Sequence, residues 1–378
     1  MPQLSRLVLA RDHLQNLLDV LTAQGYDVIG PTCRDGAIVL DRIGSVSDLP
    51  EGLTDRQEAA AYRVAPRADK ALFGYVVGPT SWKKFLHKSV RSLWQADRAG
   101  ARLTILPQKD SPPKYAFFGV RPCDVKAIEL LDKALLDGDH PDSAYKGRRD
   151  GTLIVAVNCG QAGGACFCAS MNTGPRATEG YDLALTEILT GDHRFLVEVG
   201  TEKGAAVMAK VPNSGATPAD LKAADRILEN TAQNMGRDLD MGGLKTALYD
   251  KAGDAHWEEI AARCLACGNC TMSCPTCFCT TVHDTTDLTT TRAERIQLWD
   301  SCFSLEFSYI HGGSVRQSVM SRYRQWMTHK LAAWDDQFGA PGCVGCGRCI
   351  VWCPVGIDIT DEAKVFRLHE VNTQGVNR

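Results

Sequence analysis

The spacing C-x2-C-x2-C-x3-C-P occurs twice in this chain. Cys264, Cys267, Cys270 and Cys274 stand before Pro275, and Cys343, Cys346, Cys349 and Cys353 stand before Pro354. Nothing else in the sequence restricts the fold so tightly. The two-residue spacings let one tight loop offer three thiolates to three irons of a cubane. The fourth cysteine opens the next helical segment, and the proline stops the loop from folding back. Where such runs are paired, the fourth cysteine of each ligates the other cluster. The spacing therefore predicts one [4Fe–4S] cluster on Cys264, Cys267, Cys270 and Cys353. It predicts a second on Cys343, Cys346, Cys349 and Cys274. Gly268, Gly345 and Gly347 suit a backbone that passes close to a cluster and donates N–H bonds to its sulfurs. A four-cysteine zinc site would show two C-x2-C pairs instead.

The sixteen cysteines are many for a chain of 378 residues. A reducing cytosol does not keep disulfides, so metal ligation is the expected use of them there. The net charge of −3 gives no basic excess for nucleic acid. The N-terminal stretch breaks its apolar runs with Arg6, Arg11 and Asp12, unlike a signal peptide. No apolar run approaches the length of a membrane span. These features predict a soluble, cytoplasmic protein with no membrane span and no nucleic-acid partner.

The first half reads as α/β. Residues 11–24 carry apolar residues at helical spacing and stop at Gly25. AIVLDRI (37–43), LFGYVVG (72–78), YAFFGV (115–120) and TLIVAVN (152–158) read as buried strands. Residues 127–136 continue YAFFGVRPCD as a helix. Residues 199–222, rich in Gly, Ala, Pro and Thr, read as a loose connection. Beyond about 220, strand-like runs are scarce and long helical patterns dominate. The predicted architecture is an α/β domain over 1–220, followed by a mostly α-helical, ferredoxin-like two-cluster domain over 221–378. A long insertion, 276–342, separates the two cluster motifs.

Cys123 follows the strand YAFFGV, and Cys159 follows TLIVAV. If those strands are parallel neighbours, both cysteines sit at the carboxyl edge of the sheet, where open α/β sheets carry ligands. Cys166 and Cys168 lie just beyond, on the loop GQAGGACFC. Four thiols can thus converge as a third [4Fe–4S] cluster, a zinc site or buried inert thiols. Asp124 could replace a ligand or cap the helix. Of the remaining cysteines, Cys33 reads as structural. Cys277, Cys279 and Cys302 could form a further metal site with His283 or Asp284, act as redox thiols, or simply pack. The pattern N-C-x6-C-F-C, from Asn158 and again from Asn269, hints at two similar turns.

No phosphate-binding glycine loop, nucleophile elbow or HExxH motif is present, so no bound nucleotide or flavin and no catalytic residue is predicted. Glu258 and Glu259 read as a solvated helical face, and His329 as a helix-face residue. Arg316, Arg322, Arg324 and Lys330 read as a basic strip on a solvated face, able to dock an acidic partner.

VGPTSWKKF, FFGVRPCDVKAIELLDKAL, VNCGQAGGACFCASMNTGP, the first cluster run, WDSC and the second cluster run, in that order, resemble the iron–sulfur β subunit of soluble NAD(P)-linked [NiFe] hydrogenases, the sulfhydrogenases. One iron–sulfur subunit of anaerobic sulfite reductase is similar. The resemblance spans about residues 70–360. It implies an electron-transfer subunit of a cytoplasmic complex. Single electrons would pass between a subunit that binds flavin and NAD(P) and the small and large subunits of a [NiFe] module. Two alternatives stand beside this: the sulfite reductase component, and a thiol–disulfide-active iron–sulfur enzyme using the CFC cysteines.

Overall fold

The structure is a computed structural model describing residues 5–107 and 112–374. Its strands run in chain order as β1 (Arg6–Ala10), β2 (Asp27–Arg34), β3 (Ala37–Arg42), β4 (Leu53–Glu58), β5 (Ala61–Pro66), β6 (Val90–Ala99), β7 (Arg102–Pro107) and β8 (Tyr115–Val120). There follow β9 (Leu153–Val157), β10 (Leu183–Ile188), β11 (Arg194–Val199), β12 (Ser214–Gly215), β13 (Thr280–Thr286), β14 (Arg292–Trp299), β15 (Tyr309–Ile310) and β16 (Gly313–Ser314).

Eight strands form one sheet in the order β12-β1-β11-β10-β9-β8-β2-β3. Its centre is parallel, through the pairs β2–β8, β8–β9 and β9–β10. Buried on both faces, the central strands β8 (YAFFGV) and β9 (LIVAV) are near-continuous apolar runs, as buried parallel strands usually are. Phe118, Val155 and Val157 face one core with Leu14, Leu17 and Leu21. Phe117, Ile154 and Ala156 face the other with Val125, Ile128 and Tyr145. The helix Pro122–Leu136 leaves the carboxyl end of β8, with proline in its first turn where a missing N–H costs nothing.

The predicted strand at 72–78 does not form. That segment is buried and irregular, and side chains take over the ladder's role. The Glu187 carboxylate accepts the N–H groups of Leu72 and Phe73, and Asp55 accepts that of Val76. Arg121 donates to the carbonyls of Phe73 and Tyr75, and Gln57 to that of Val77. Its apolar composition signalled burial correctly, but composition does not say where the backbone finds partners. The connection predicted at 199–222 is also more regular than expected. It holds the helix Glu202–Met208 capped by Thr201, then β12, then the helix Pro218–Gln233, whose capping box joins Thr217 and Asp220.

The second half has a helical core, where Trp257, Ile260, Tyr323, Trp326, Met327 and Phe366 pack together. It is less helical than its sequence pattern implied. The stretch between the two cysteine runs contributes the hairpin β13–β14 and the small β15–β16 ribbon. β14 pairs with β6, completing a four-stranded sheet in the order β13-β14-β6-β7. Much of β13 and β14 is solvated, so neither strand shows the apolar run by which a strand is recognised.

Candidate iron–sulfur relay

The two cysteine runs build the same loop twice. Ala266 and Gly268 in the first take φ +50° and +75°, and Gly345 and Gly347 in the second take +64° and +74°. In each loop the middle N–H turns back onto the first sulfur: Ala266 N–H donates to Cys264 Sγ and Gly345 N–H to Cys343 Sγ, both at 3.4 Å. Short helices, Asn269–Met272 and Arg348–Val351, then carry Cys270 and Cys349. Such N–H···S bonds offset negative charge gathered on sulfur.

Each loop opens on a cavity whose lining includes the last cysteine of the other run. The first, with about 420 Å³ of empty space, is lined by Cys264, Cys267, Cys270 and Cys353, with Phe303 and Tyr323. The second, about 360 Å³, is lined by Cys343, Cys346, Cys349 and Cys274, with Phe167 and Lys330. Trp326 and Cys349 wall both cavities. Among the described residues, no three His, Cys, Asp or Glu side chains close on one point as a single ion requires. A zinc ion would draw its sulfurs to about 2.3 Å. Four sulfurs spaced around a mostly apolar chamber fit a multi-iron cluster better than one ion. Burial raises the thiols of Cys270 and Cys349 and pushes Cys343 up to about 12. Cys274 differs, because a hydrogen bond from Cys277 and the Lys330 ammonium hold it low.

Cys123, Cys159, Cys166 and Cys168 are all buried. β8 and β9 are parallel neighbours, so Cys123 and Cys159 share the carboxyl edge of the sheet. Burial raises the Cys168 thiol most, and the nearby Cys166, Cys159 and Cys346 raise it further. Cys123 in turn feels Cys168 and Cys346. The group therefore gathers beside the second cavity. A Cβ on Gly345 would lie 2.7 Å from the Cys168 backbone, and Phe167 N–H donates to the Gly345 carbonyl. The Arg121 guanidinium reaches Cys159, while its buried Nη1 has no hydrogen-bond partner among the described residues. A buried guanidinium nitrogen left without a partner beside Cys159 fits an anionic group held there.

Several side chains here differ from their sequence reading. Asp124 does not cap its helix, since Arg121 holds that position. Asp124 instead forms a buried pair with Arg348. Lys330 leaves the basic strip and is buried, donating to Thr276 Oγ1 and the Gly342 carbonyl. It sits in a π-helical turn, His329–Ala333. Lys83 is equally buried, donating to the Cys277 carbonyl with its ammonium 4.0 Å over the Trp299 ring. No motif marks Lys83, Arg121 or Arg348. Their one sequence signal is that each lies in a stretch that carries the family resemblance: Lys83 in VGPTSWKKF, Arg121 in FFGVRPCD and Arg348 in CVGCGRC. His283 and Asp284 are exposed on β13, and Asp284 pairs with Arg295, so neither joins the CFC thiols. Cys33 is exposed on β2. Asn158 and Asn269 do not head similar turns: Asn158 is buried and bonded to Thr186 and Ala177, while Asn269 donates to the Trp352 carbonyl.

Paired cysteine loops around two chambers define a dicluster iron–sulfur protein, and the family described as "4Fe-4S dicluster domain" matches residues 263–357. The chain is 33% identical over 261 residues to sulfhydrogenase 2 subunit beta of Pyrococcus furiosus, covering 68% of this chain and 75% of that protein. It belongs to that family of iron–sulfur hydrogenase β subunits. It is an electron-transfer subunit carrying [4Fe–4S] clusters. No solved structure matches it. Among the described residues no helix is long and apolar enough to cross a membrane.

Proposed function

We propose that this chain carries single electrons through three [4Fe–4S] clusters. On this reading it acts in the cytoplasm, between a flavin-bearing, NAD(P)-linked partner subunit on one side and a [NiFe]-hydrogenase module on the other. Residues 1–220 would hold one cluster and 221–378 the other two. Cys264, Cys267, Cys270 and Cys353 would hold the first cluster, and Cys343, Cys346, Cys349 and Cys274 the second. Cys123, Cys159, Cys166 and Cys168 would hold the third. The observation that carries this reading is contiguity: the two chambers share Trp326 and Cys349, and the third thiol group adjoins Cys346.

The clusters would supply one-electron chemistry. The chain's own residues do the rest. Phe303, Tyr323 and Trp326 exclude water from the first chamber. Lys330 and Arg121 place positive charge beside sulfur, which favours the reduced, more negative state. The loop N–H groups act in the same direction. Exposed Cys267 marks the edge where the first chamber meets solvent.

Iron and sulfide analysis of the anaerobically purified chain tests this. About twelve irons are expected, falling to about eight in Cys166→Ser/Cys168→Ser. Cys353→Ser and Cys274→Ser should each remove a different electron paramagnetic resonance signal. About eight irons in both parent and double variant, with zinc in the parent alone, would reduce the relay to two clusters on a zinc-stapled scaffold.

A further inference from the structure

Cys277, Cys279 and Cys302 remain outside the relay. The hairpin β13–β14 begins directly after Cys279 and ends shortly before Cys302. Its last pair is Thr280 with Trp299, and Asp300 N–H then donates to the Cys279 carbonyl at 2.9 Å. Antiparallel pairing thus brings together two cysteines far apart in sequence. The Cys302 thiol and its backbone N–H both donate to the Cys279 sulfur. That hydrogen bond, with the ammonium groups of Lys330 and Lys83, holds the Cys279 thiol below its ordinary range, while Cys302 is pushed above it. A low thiol touching a higher one is the asymmetry of an exchanging dithiol. Both residues are half-buried, so the pair is not sealed in a core.

The surroundings fit a redox role better than a packing one. Lys83 and Lys330 are both 3% exposed. Among the described residues, their ammonium groups donate to oxygens of Cys277, Thr276 and Gly342, none of them a carboxylate. Both ammonium groups act on Cys277 and Cys279. Buried ammonium groups need nearby negative charge. Cys277 links the pair to the relay, since its thiol contacts both Cys274 and Lys330.

We propose that Cys279 and Cys302 form a two-electron dithiol–disulfide site attached to the iron–sulfur relay through Cys277 and Cys274. On oxidation the two thiols release two protons to water, and a Cys279 Sγ–Cys302 Sγ bond forms. The two electrons leave singly, one to each of two oxidised [4Fe–4S] clusters. Reduction runs the same balance backwards, with two electrons and two protons opening the bond. The pair would thereby match the one-electron steps of the clusters to two-electron chemistry. This rests on the relay reading above.

The test is cysteine labelling with N-ethylmaleimide under denaturing quench, on anaerobic full-length protein poised oxidised or reduced, with peptide-level mass spectrometry. Iron content is measured on the same samples. Labelling of Cys279 and Cys302 should fall together about tenfold or more at the oxidised poise and return after dithionite, with iron unchanged. In Cys302→Ser, Cys279 should label at every potential and the iron should stay. Equal labelling at both poises overturns the proposal, as does loss of iron from Cys302→Ser, which would make Cys302 a ligand. Iron absent from the parent would instead sink the relay reading, which the labelling reports separately.

Discussion

Arg348 grips Asp124 through both guanidinium arms, Nη1 to Oδ1 at 2.7 Å and Nη2 to Oδ2 at 2.8 Å, with both side chains almost fully buried. Arg348 lies inside the second cysteine run, between Cys346 and Cys349. Asp124 follows Cys123 in the third thiol group. One fork–fork ion pair therefore ties the loop of one cysteine group to the helix of another. Arg348 Nε also donates to the Gly78 carbonyl, which fixes the irregular 72–78 segment against both.

Breaking one half of that pair leaves a buried, uncompensated charge. Asp124→Asn should cost about 3–5 kcal/mol, read as a large fall in the apparent melting temperature of the anaerobic protein. Asp124→Leu with Arg348→Met should recover part of the loss. Recovery stays incomplete because the Gly78 and Thr80 carbonyls lose their donor, a penalty of about 1–3 kcal/mol.

Gly345 and Gly268 should respond differently to alanine. At Gly345 a Cβ meets the Cys168 backbone at 2.7 Å, whereas at Gly268 it meets the Ser301 hydroxyl at 3.2 Å. Backbone strain alone does not decide the outcome, because Ala266 already carries a Cβ at φ +50°. Gly345→Ala is expected to lose about four irons per chain, and Gly268→Ala to keep most of its complement. Iron analysis of the two variants checks this.

Lys330→Met removes a buried positive charge beside Cys274 and Cys343. The reduced form of any centre held there is then destabilised more than the oxidised form. A one-electron potential lower by about 60 mV or more is expected, equivalent to about 1.4 kcal/mol. A redox titration followed by electron paramagnetic resonance measures it. An unchanged potential would place no cluster near Lys330.

His87 gives the fold a pH dependence. Burial, followed by the charge of Lys83, lowers its imidazole to about 4 from the ordinary 6.5. Its ring stacks on Trp299 with centroids 6.1 Å apart. Below about pH 6.5 the unfolded chain takes up a proton that the folded chain refuses, so stability falls as pH falls. The fall is about 1.4 kcal/mol per pH unit, reaching about 3 kcal/mol near pH 4. Melting temperatures at about pH 7.5 and 5.5, on either side of the ordinary imidazole range, should therefore differ less in His87→Phe than in the parent.

The cysteine spacings were legible because cluster geometry acts over a few residues of contiguous chain. The carboxyl-edge position of Cys123 and Cys159 was legible only on the condition that their two apolar strands pair in parallel, which β8 and β9 do. The 72–78 segment misled because burial and strand formation give the same composition. β13 and β14 escaped because solvated strands lack an apolar run. Lys83 and Lys330 could not be told from surface lysines, as their burial depends on thiols supplied from other parts of the chain. The contact between Cys279 and Cys302 follows from the hairpin, and so became visible only with it.

The sheet β13-β14-β6-β7 has a consequence for how the protein is made. β6 and β7 are synthesised long before the strand that covers the open edge of β6. Until Arg292–Trp299 emerges from the ribosome, β6 presents a row of unpaired backbone groups to whatever is nearby. The nascent chain thus passes through a long aggregation-prone interval that the finished molecule no longer betrays. Chaperone demand should accordingly rest on translation speed across residues 100–299, well before the last cysteine run is made.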